Sequence, residues 1–214
     1  MPSPGKFIVF EGIDGSGLST QAGLLKAWFD QRGKPAYLTK EPTPGPAGAM
    51  ARLALSGRLV AGGNTGDPPH PLDETTLALL FAADRADHLA NDILPKLNKG
   101  INVVCDRYYL SNLAYQSRRV DLAWLRTINA PFRKPDLTLL IEVPAQVSLE
   151  RIRGRHQNLE IYEEAQTLEE ILSNYRYLAR TLASGGERIE VLDGTASPRE
   201  VHRRVIELVE TLFR

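Results

Sequence analysis

Between positions 11 and 20 the chain reads Glu11-Gly12-Ile13-Asp14-Gly15-Ser16-Gly17-Leu18-Ser19-Thr20, a segment able to bind an anion with its backbone alone. Glycine at 12, 15 and 17 admits conformations closed to other residues. Successive amides in such a turn, continued by the free N–H groups that open a helix, can ring a negative ion. The pattern Gly-x4-Gly-Lys-Ser/Thr, whose lysine reaches the outer phosphates of a nucleotide, is met at Gly12, Gly17 and Ser19, but position 18 is leucine. Leu18 can neither donate a hydrogen bond nor carry charge, and a charge-assisted hydrogen bond contributes about 1.5 to 3 kcal/mol. Either another cation substitutes, or phosphoryl chemistry here is slow or absent.

A second group of reactive residues follows at Val103-Val104-Cys105-Asp106-Arg107-Tyr108. An acidic residue at the tip of a buried strand can hold Mg²⁺, directly or through water, with the hydroxyl of Ser19 as the other anchor. Arg107 offers a fork of donors suited to a phosphate dianion. Asp106 has a plainer alternative, as N-cap of a helix beginning near Tyr109.

Such residues work only if a scaffold brings them to one place. Five apolar runs of strand length occur at 7–10, 36–39, 101–105, 137–143 and 189–192, each bounded by Gly, Pro, Asp or charged residues. Amphipathic stretches with apolar residues at three and four spacings lie at 19–32, 74–97, 145–155, 168–183 and 198–213. Strands alternating with helices predict right-handed βαβ units, a parallel sheet covered on both faces and one three-layer α/β/α domain. In that architecture ligands sit at the carboxyl ends of the strands, where both groups above fall. The stretch 57–72, rich in Gly and Pro, reads as a surface loop.

Composition narrows the function. Across 214 residues, 26 Lys plus Arg balance 26 Asp plus Glu, so a general nucleic-acid or anionic-membrane binder, which needs a basic excess, is not expected. One cysteine, Cys105, makes no internal disulfide, and the four His have no metal-ligand spacing. No stretch approaches 18 uninterrupted apolar residues, and the N-terminus lacks a signal-peptide core. The expectation is a cytoplasmic protein.

Three motifs stand at defined spacing: Phe10-Glu11-Gly12-Ile13-Asp14-Gly15-Ser16-Gly17, Leu80-Phe81-Ala82-Ala83-Asp84-Arg85-Ala86-Asp87-His88, and the run from Asp106 through Arg107, Tyr108, Tyr109, Leu110, Ser111, Asn112, Leu113 and Ala114 to Tyr115 and Gln116. Together they resemble the thymidylate kinase family of P-loop nucleoside monophosphate kinases. Pro135-Asp136-Leu137-Thr138, Leu149-Glu150-Arg151 and Asp193-Gly194-Thr195 continue the resemblance in order. It implies a single P-loop kinase domain over 1–214 with a five-stranded parallel sheet and a short lid at about 153–165. It also implies ATP-dependent phosphorylation of dTMP to dTDP with Mg²⁺, and a homodimer.

Residue by residue, the resemblance implies that Gly12 through Thr20 hold ATP, with Arg151 against adenine and the turn at Thr195 and Ala196 closing its other side. Phe81 would stack on thymine and Arg85 would hydrogen-bond the base carbonyl. Arg107 would hold the acceptor phosphate. Ser111, Asn112, Tyr115 and Gln116 would line the nucleoside pocket, Asp14 would contact the sugar or a metal-bound water, and Glu41-Pro42 and Arg52 would stand on the acceptor side. The segment 156–164 lacks the family's usual lid pattern, which leaves Arg153 and Arg155 as cations to replace the missing lysine. Two other readings stay open: a nucleotide-binding protein of this fold that has lost turnover through Leu18, and a kinase for another nucleoside or nucleoside monophosphate.

Overall fold

The computed structural model describes residues 3–62, 68–153 and 161–214. Five strands form one parallel sheet: β1 (Phe7–Glu11), β2 (Ala36–Lys40), β5 (Asn102–Asp106), β6 (Leu137–Glu142) and β7 (Ile189–Asp193), in the order β2-β5-β1-β6-β7. They grow from the five apolar runs. β1 and β5 are buried along their whole length, whereas the edge strands β2 and β7 are only partly covered, as expected where helices pack on both faces of the sheet centre.

Side-chain alternation along the strands divides the core. Phe7, Val9, Val103, Cys105 and Leu140 face one layer, formed by α3 (Glu74–His88), α5 (Tyr109–Gln116) and α8 (Ile161–Ser184). Ile8, Phe10, Val104, Leu139 and Ile141 face the other, where α1 (Leu18–Gln31) contributes Leu25 and Phe29 and α9 (Pro198–Glu210) contributes Val201 and Val205. Burying each such side chain stabilises the fold by about 1.5 to 3 kcal/mol. The register sets Phe10 and Lys40 beside Asp106, and Glu11 beside Leu140. The strands therefore end together, and the loops that follow β1 and β5 leave from one edge.

Other elements depart from expectation. Helices α2 (Pro46–Leu55), α6 (Leu122–Asn129) and α5 escape the periodicity reading because each is short. The stretch expected as one helix over 74–97 keeps α geometry only to His88, passes through a π turn at Leu89–Ile93 and resumes as α4 (Leu94–Asn98). Pro95 lacks an N–H for the ladder, and a wider turn just before it accommodates that loss. Within the expected loop 57–72, β3 (Val60–Ala61) and β4 (His70–Pro71) pair as a small antiparallel hairpin. Helix α7 spans Ala145–Arg153. No described helix is long and apolar enough to cross a membrane.

Candidate active site

The loop between β1 and α1 is held open by its glycines. Gly12 has φ 153° and Gly15 φ 75°; a Cβ on Gly12 would meet the Ile141 carbonyl oxygen at 2.5 Å, and one on Gly15 the Ser148 carbonyl oxygen at 2.7 Å. Gly17, left-handed at φ 100°, precedes α1, and among the described residues no side chain caps that helix. The first N–H groups of α1 thus remain available to an anion, with the positive end of the helix dipole behind them. Leu18, 6% exposed, packs in the apolar cluster beneath the sheet.

In the first turn of α1, the Ser19 hydroxyl donates to the Asp106 carboxylate in a close contact, joining the first helix to the tip of β5. Asp106 is not a helix cap. The N-terminus of α5 is instead satisfied from β1, where Glu11 Oε1 accepts from Tyr108 N at 2.9 Å and Ser111 N at 3.2 Å. Tyr175 on α8 donates to Glu11 Oε2 at 3.2 Å. Burial pushes the Glu11 carboxyl up to about 7, an effect that the Ser111 hydrogen bonds and the Arg107 charge only partly offset.

Arg107 follows in a left-handed conformation, φ 71°, rare for a residue with a side chain. Its N–H bonds the Phe10 carbonyl and its guanidinium turns back toward the glycine loop. Nη1 donates to Gly12 O at 2.9 Å and Ser111 Oγ at 3.1 Å, and Nη2 to Asp14 Oδ1 at 2.7 Å. Burial works against its charge, but the Asp14 carboxylate paired with it, with Glu11 beside it, favours the protonated form.

Two cavities meet at this ion pair. One, of about 570 Å³, runs along the glycine loop from Ile13 to Gln21 and reaches Asp106, Arg107, Arg151, Gly194 and Ala196. The other, of about 270 Å³, is walled by Glu41, Pro42, Phe81, Arg85, Asn112, Tyr115 and Gln116. Asp14 and Arg107 line both. The first has the amides and cations of a polyphosphate site, and the second has an aromatic wall and convergent polar groups suited to a flat heterocycle.

A family model for thymidylate kinase matches residues 10–205. A probable thymidylate kinase of Thermococcus kodakarensis is 41% identical over 209 residues, covering 97% of this chain and 98% of its own. One of Pyrococcus abyssi is 39% identical over 208 residues, 96% of each chain, and the thymidylate kinase of Carboxydothermus hydrogenoformans is 34% identical over 216 residues, 97% of this chain and 98% of its own. The chain belongs to the thymidylate kinase family.

Against the thymidylate kinase expectations, Ile13 through Thr20, Arg151, Ala196, Phe81, Arg85, Ser111, Asn112, Tyr115 and Gln116 all line one cavity or the other, whereas Gly12 lines neither. Phe81 is partly exposed and belongs to neither core cluster, so its ring is open to stacking. Arg151 donates to Gly194 O at 3.0 Å, tying α7 to the turn after β7. Thr195 does not line the donor cavity; its hydroxyl and N–H both bond Asp193 and shape that turn. Glu41 lines the acceptor cavity, but its carboxylate is engaged by Arg85 Nη2 at 2.9 Å and His88 Nδ1 at 3.1 Å. Arg52 bonds the carbonyls of Pro42 and Thr43 and lines neither cavity. Arg155 and most of the expected lid at 153–165 lie outside the described residues; Arg153 ends α7, and its side chain is outside them too.

Several participants gave little signal in the chain. Glu11 reads as the polar end of a strand until its four hydrogen bonds are seen. Gln21, Pro198 and Val201 complete the donor cavity, and only the neighbouring Ser19 and the Asp193-Gly194-Thr195 motif could have pointed to them. Asn129 of α6 reaches Arg85 from a segment that carries no motif.

Proposed function

We infer that this chain is an ATP-dependent dTMP kinase, transferring the γ-phosphoryl group of ATP in line to the 5′ phosphate of dTMP to give dTDP and ADP. The observation that carries the reading is the wall shared by the two cavities, formed by Asp14 and Arg107. A donor phosphate ringed by loop amides and an acceptor phosphate held by Arg107 would face one another there, so positioning and charge supply most of the catalysis. The acceptor phosphate is already anionic at pH 7 and needs no general base. Tyr115, which lies 3.5 Å from Asp14 on the nucleoside wall, supports a preference for deoxyribose by filling the space of a 2′ hydroxyl.

The residues fit Mg²⁺. Ser19 and Asp106 converge as hard oxygen ligands, and an ion that takes one or two protein oxygens and completes its octahedron with phosphate and water suits such a pair. Bound there, Mg²⁺ would offset the charge of the donor phosphates. Ser19 and Asp106 would hold the metal, Arg107 would orient the acceptor, and Arg151 would brace the adenine side. With Leu18 buried, we assign the missing cation to the lid, through Arg153 or Arg155.

The exposed apolar side chains Met50, Leu53 and Leu79 lie on α2 and α3, which supports a homodimer formed through these helices; light scattering at micromolar concentration reads this directly. One cysteine and no disulfide suit the cytoplasm. The decisive assay is ADP release from Mg-ATP on addition of dTMP. A rate no higher than that of a Ser19→Ala, Arg107→Ala double variant would overturn the reading.

A further inference from the structure

A chain of side-chain amides runs from Arg85 to Glu74, each link donating in the same direction. Arg85 Nη1 donates to Asn129 Oδ1 at 2.6 Å. Asn129 Nδ2 donates to Asn112 Oδ1 at 2.9 Å, Asn112 Nδ2 to Gln116 Oε1 at 3.0 Å, and Gln116 Nε2 to Glu74 Oε2 at 3.3 Å. The second N–H of Asn129 is taken by the Leu125 carbonyl at 2.8 Å.

The two ends dictate the direction. A guanidinium can only donate and a carboxylate can only accept, whereas an amide can be turned either way. Reversing one of the three amides sets N–H against N–H at one side and oxygen against oxygen at the other. Arg85, Asn112, Gln116 and Asn129 are all buried, so water cannot repair such a mismatch. One orientation of the whole relay survives.

Asn112, Gln116 and Arg85 face the acceptor cavity, while Asn129 and Glu74 do not. We propose that Glu74 and Asn129 are positioning residues that lock the amides of Asn112 and Gln116 in one orientation and thereby set which pyrimidine the cavity accepts. In this orientation Asn112 Oδ1 has one lone pair engaged by Asn129 and a second free to accept a ring N–H, which thymine and uracil have and neutral cytosine lacks. Arg85, whose Nε has no partner among the described residues, offers only donors, which suit the 4-keto oxygen of thymine and oppose the 4-amino group of cytosine. The inference rests on the reading of this cavity as a dTMP site.

Two variants relax the direction without emptying the relay, one at its carboxylate end and one at its first amide. Glu74→Gln can donate as well as accept, which removes the mismatch at the carboxylate end and leaves reversal of Gln116 and Asn112 opposed only at Asn129. Asn129→Asp still accepts from Arg85 but has no N–H for Asn112. Calorimetric titration of dTMP and dCMP into wild type and each variant, with kcat/KM for both nucleotides, reads the effect. The expected result is a dTMP-to-dCMP selectivity that narrows about tenfold in each variant, the loss of one directional hydrogen bond, with affinity for dTMP falling and that for dCMP rising. An equal fall for both nucleotides means a merely structural role and overturns the proposal, as does an unchanged ratio. Should Asn129→Asp not fold, Glu74→Gln decides alone. Wild type that fails to bind dTMP overturns the dTMP reading and this inference together, whereas a selective wild type with unshifted variants overturns the inference alone.

Discussion

Arg107 Nη2 and Asp14 Oδ1 stand 2.7 Å apart on the wall that divides the donor cavity from the acceptor cavity. The contact joins the first loop to the end of β5, and its geometry depends on a left-handed residue at 107. In the kinase reading a phosphate replaces the Asp14 carboxylate as the partner of the arginine fork, and the pair holds the fork ready until then.

Arg107→Ala and Arg107→Gly should both lose about 10³-fold in turnover, the effect of one well-placed cation in phosphoryl transfer. Their stabilities should diverge. Glycine adopts φ 71° without the Cβ penalty, so the Gly variant should be more stable than the Ala variant by about 1 kcal/mol. Rates of ADP release and urea midpoints measure the two effects, and an Ala variant keeping a tenth of wild-type turnover would sink the assignment.

Leu18→Lys tests how the site lives without its lysine. If Arg153 or Arg155 supplies the charge, the lysine variant should gain less than about tenfold in kcat, while one of Arg153→Ala and Arg155→Ala should lose about 10²-fold or more. A gain of about 10³-fold with unaffected lid variants would show instead that the native site is impaired. Removing a buried leucine should also lower stability by about 1 to 3 kcal/mol, read from thermal melts.

Asp106→Asn keeps the shape of the side chain and its contact with Ser19 but removes the charge offered to a divalent cation. Half-maximal rate should then need at least about tenfold more Mg²⁺, with little change in KM for dTMP. A proportionate loss at every Mg²⁺ concentration would argue for a structural role.

Glu11 gives a pH signature. Its carboxyl rises from the ordinary 4.5 to about 7 on folding, so the folded state binds the proton more tightly than the unfolded chain. Below about pH 4.5 both states are protonated and the group costs nothing. As pH rises from there through about 7, the folded state loses stability, about 3 kcal/mol over the window. Glu11→Gln cannot titrate, so the difference in unfolding free energy between wild type and this variant should change in that direction between pH 4.5 and 7 and level off above it. A flat difference from denaturant titrations at several pH values would contradict the buried, poorly compensated carboxyl.

The chain on its own determined the sheet and the families of residues at its edge. Apolar runs the length of strands, alternating with amphipathic stretches, are one-dimensional signals that survive without tertiary context, and the glycines before Ser19 announce an anion turn because few other uses require three of them so close together. Asp106 and Arg107 were legible as reactive residues at a strand end, whereas Phe81 and Arg85 were legible only through the family resemblance. What the residues do to one another was decided only in three dimensions. The role of Glu11 depends on α5 and α8 closing over it, that of Glu41 on Arg85 and His88 meeting it, and the polarity of the relay on Asn129, 44 positions from Arg85. Whether Asp106 caps α5 was equally open until Glu11 was found to satisfy that helix. Hydrogen-bond partners that distant leave no periodic trace in sequence, because burial selects them by proximity and donor count, not by spacing.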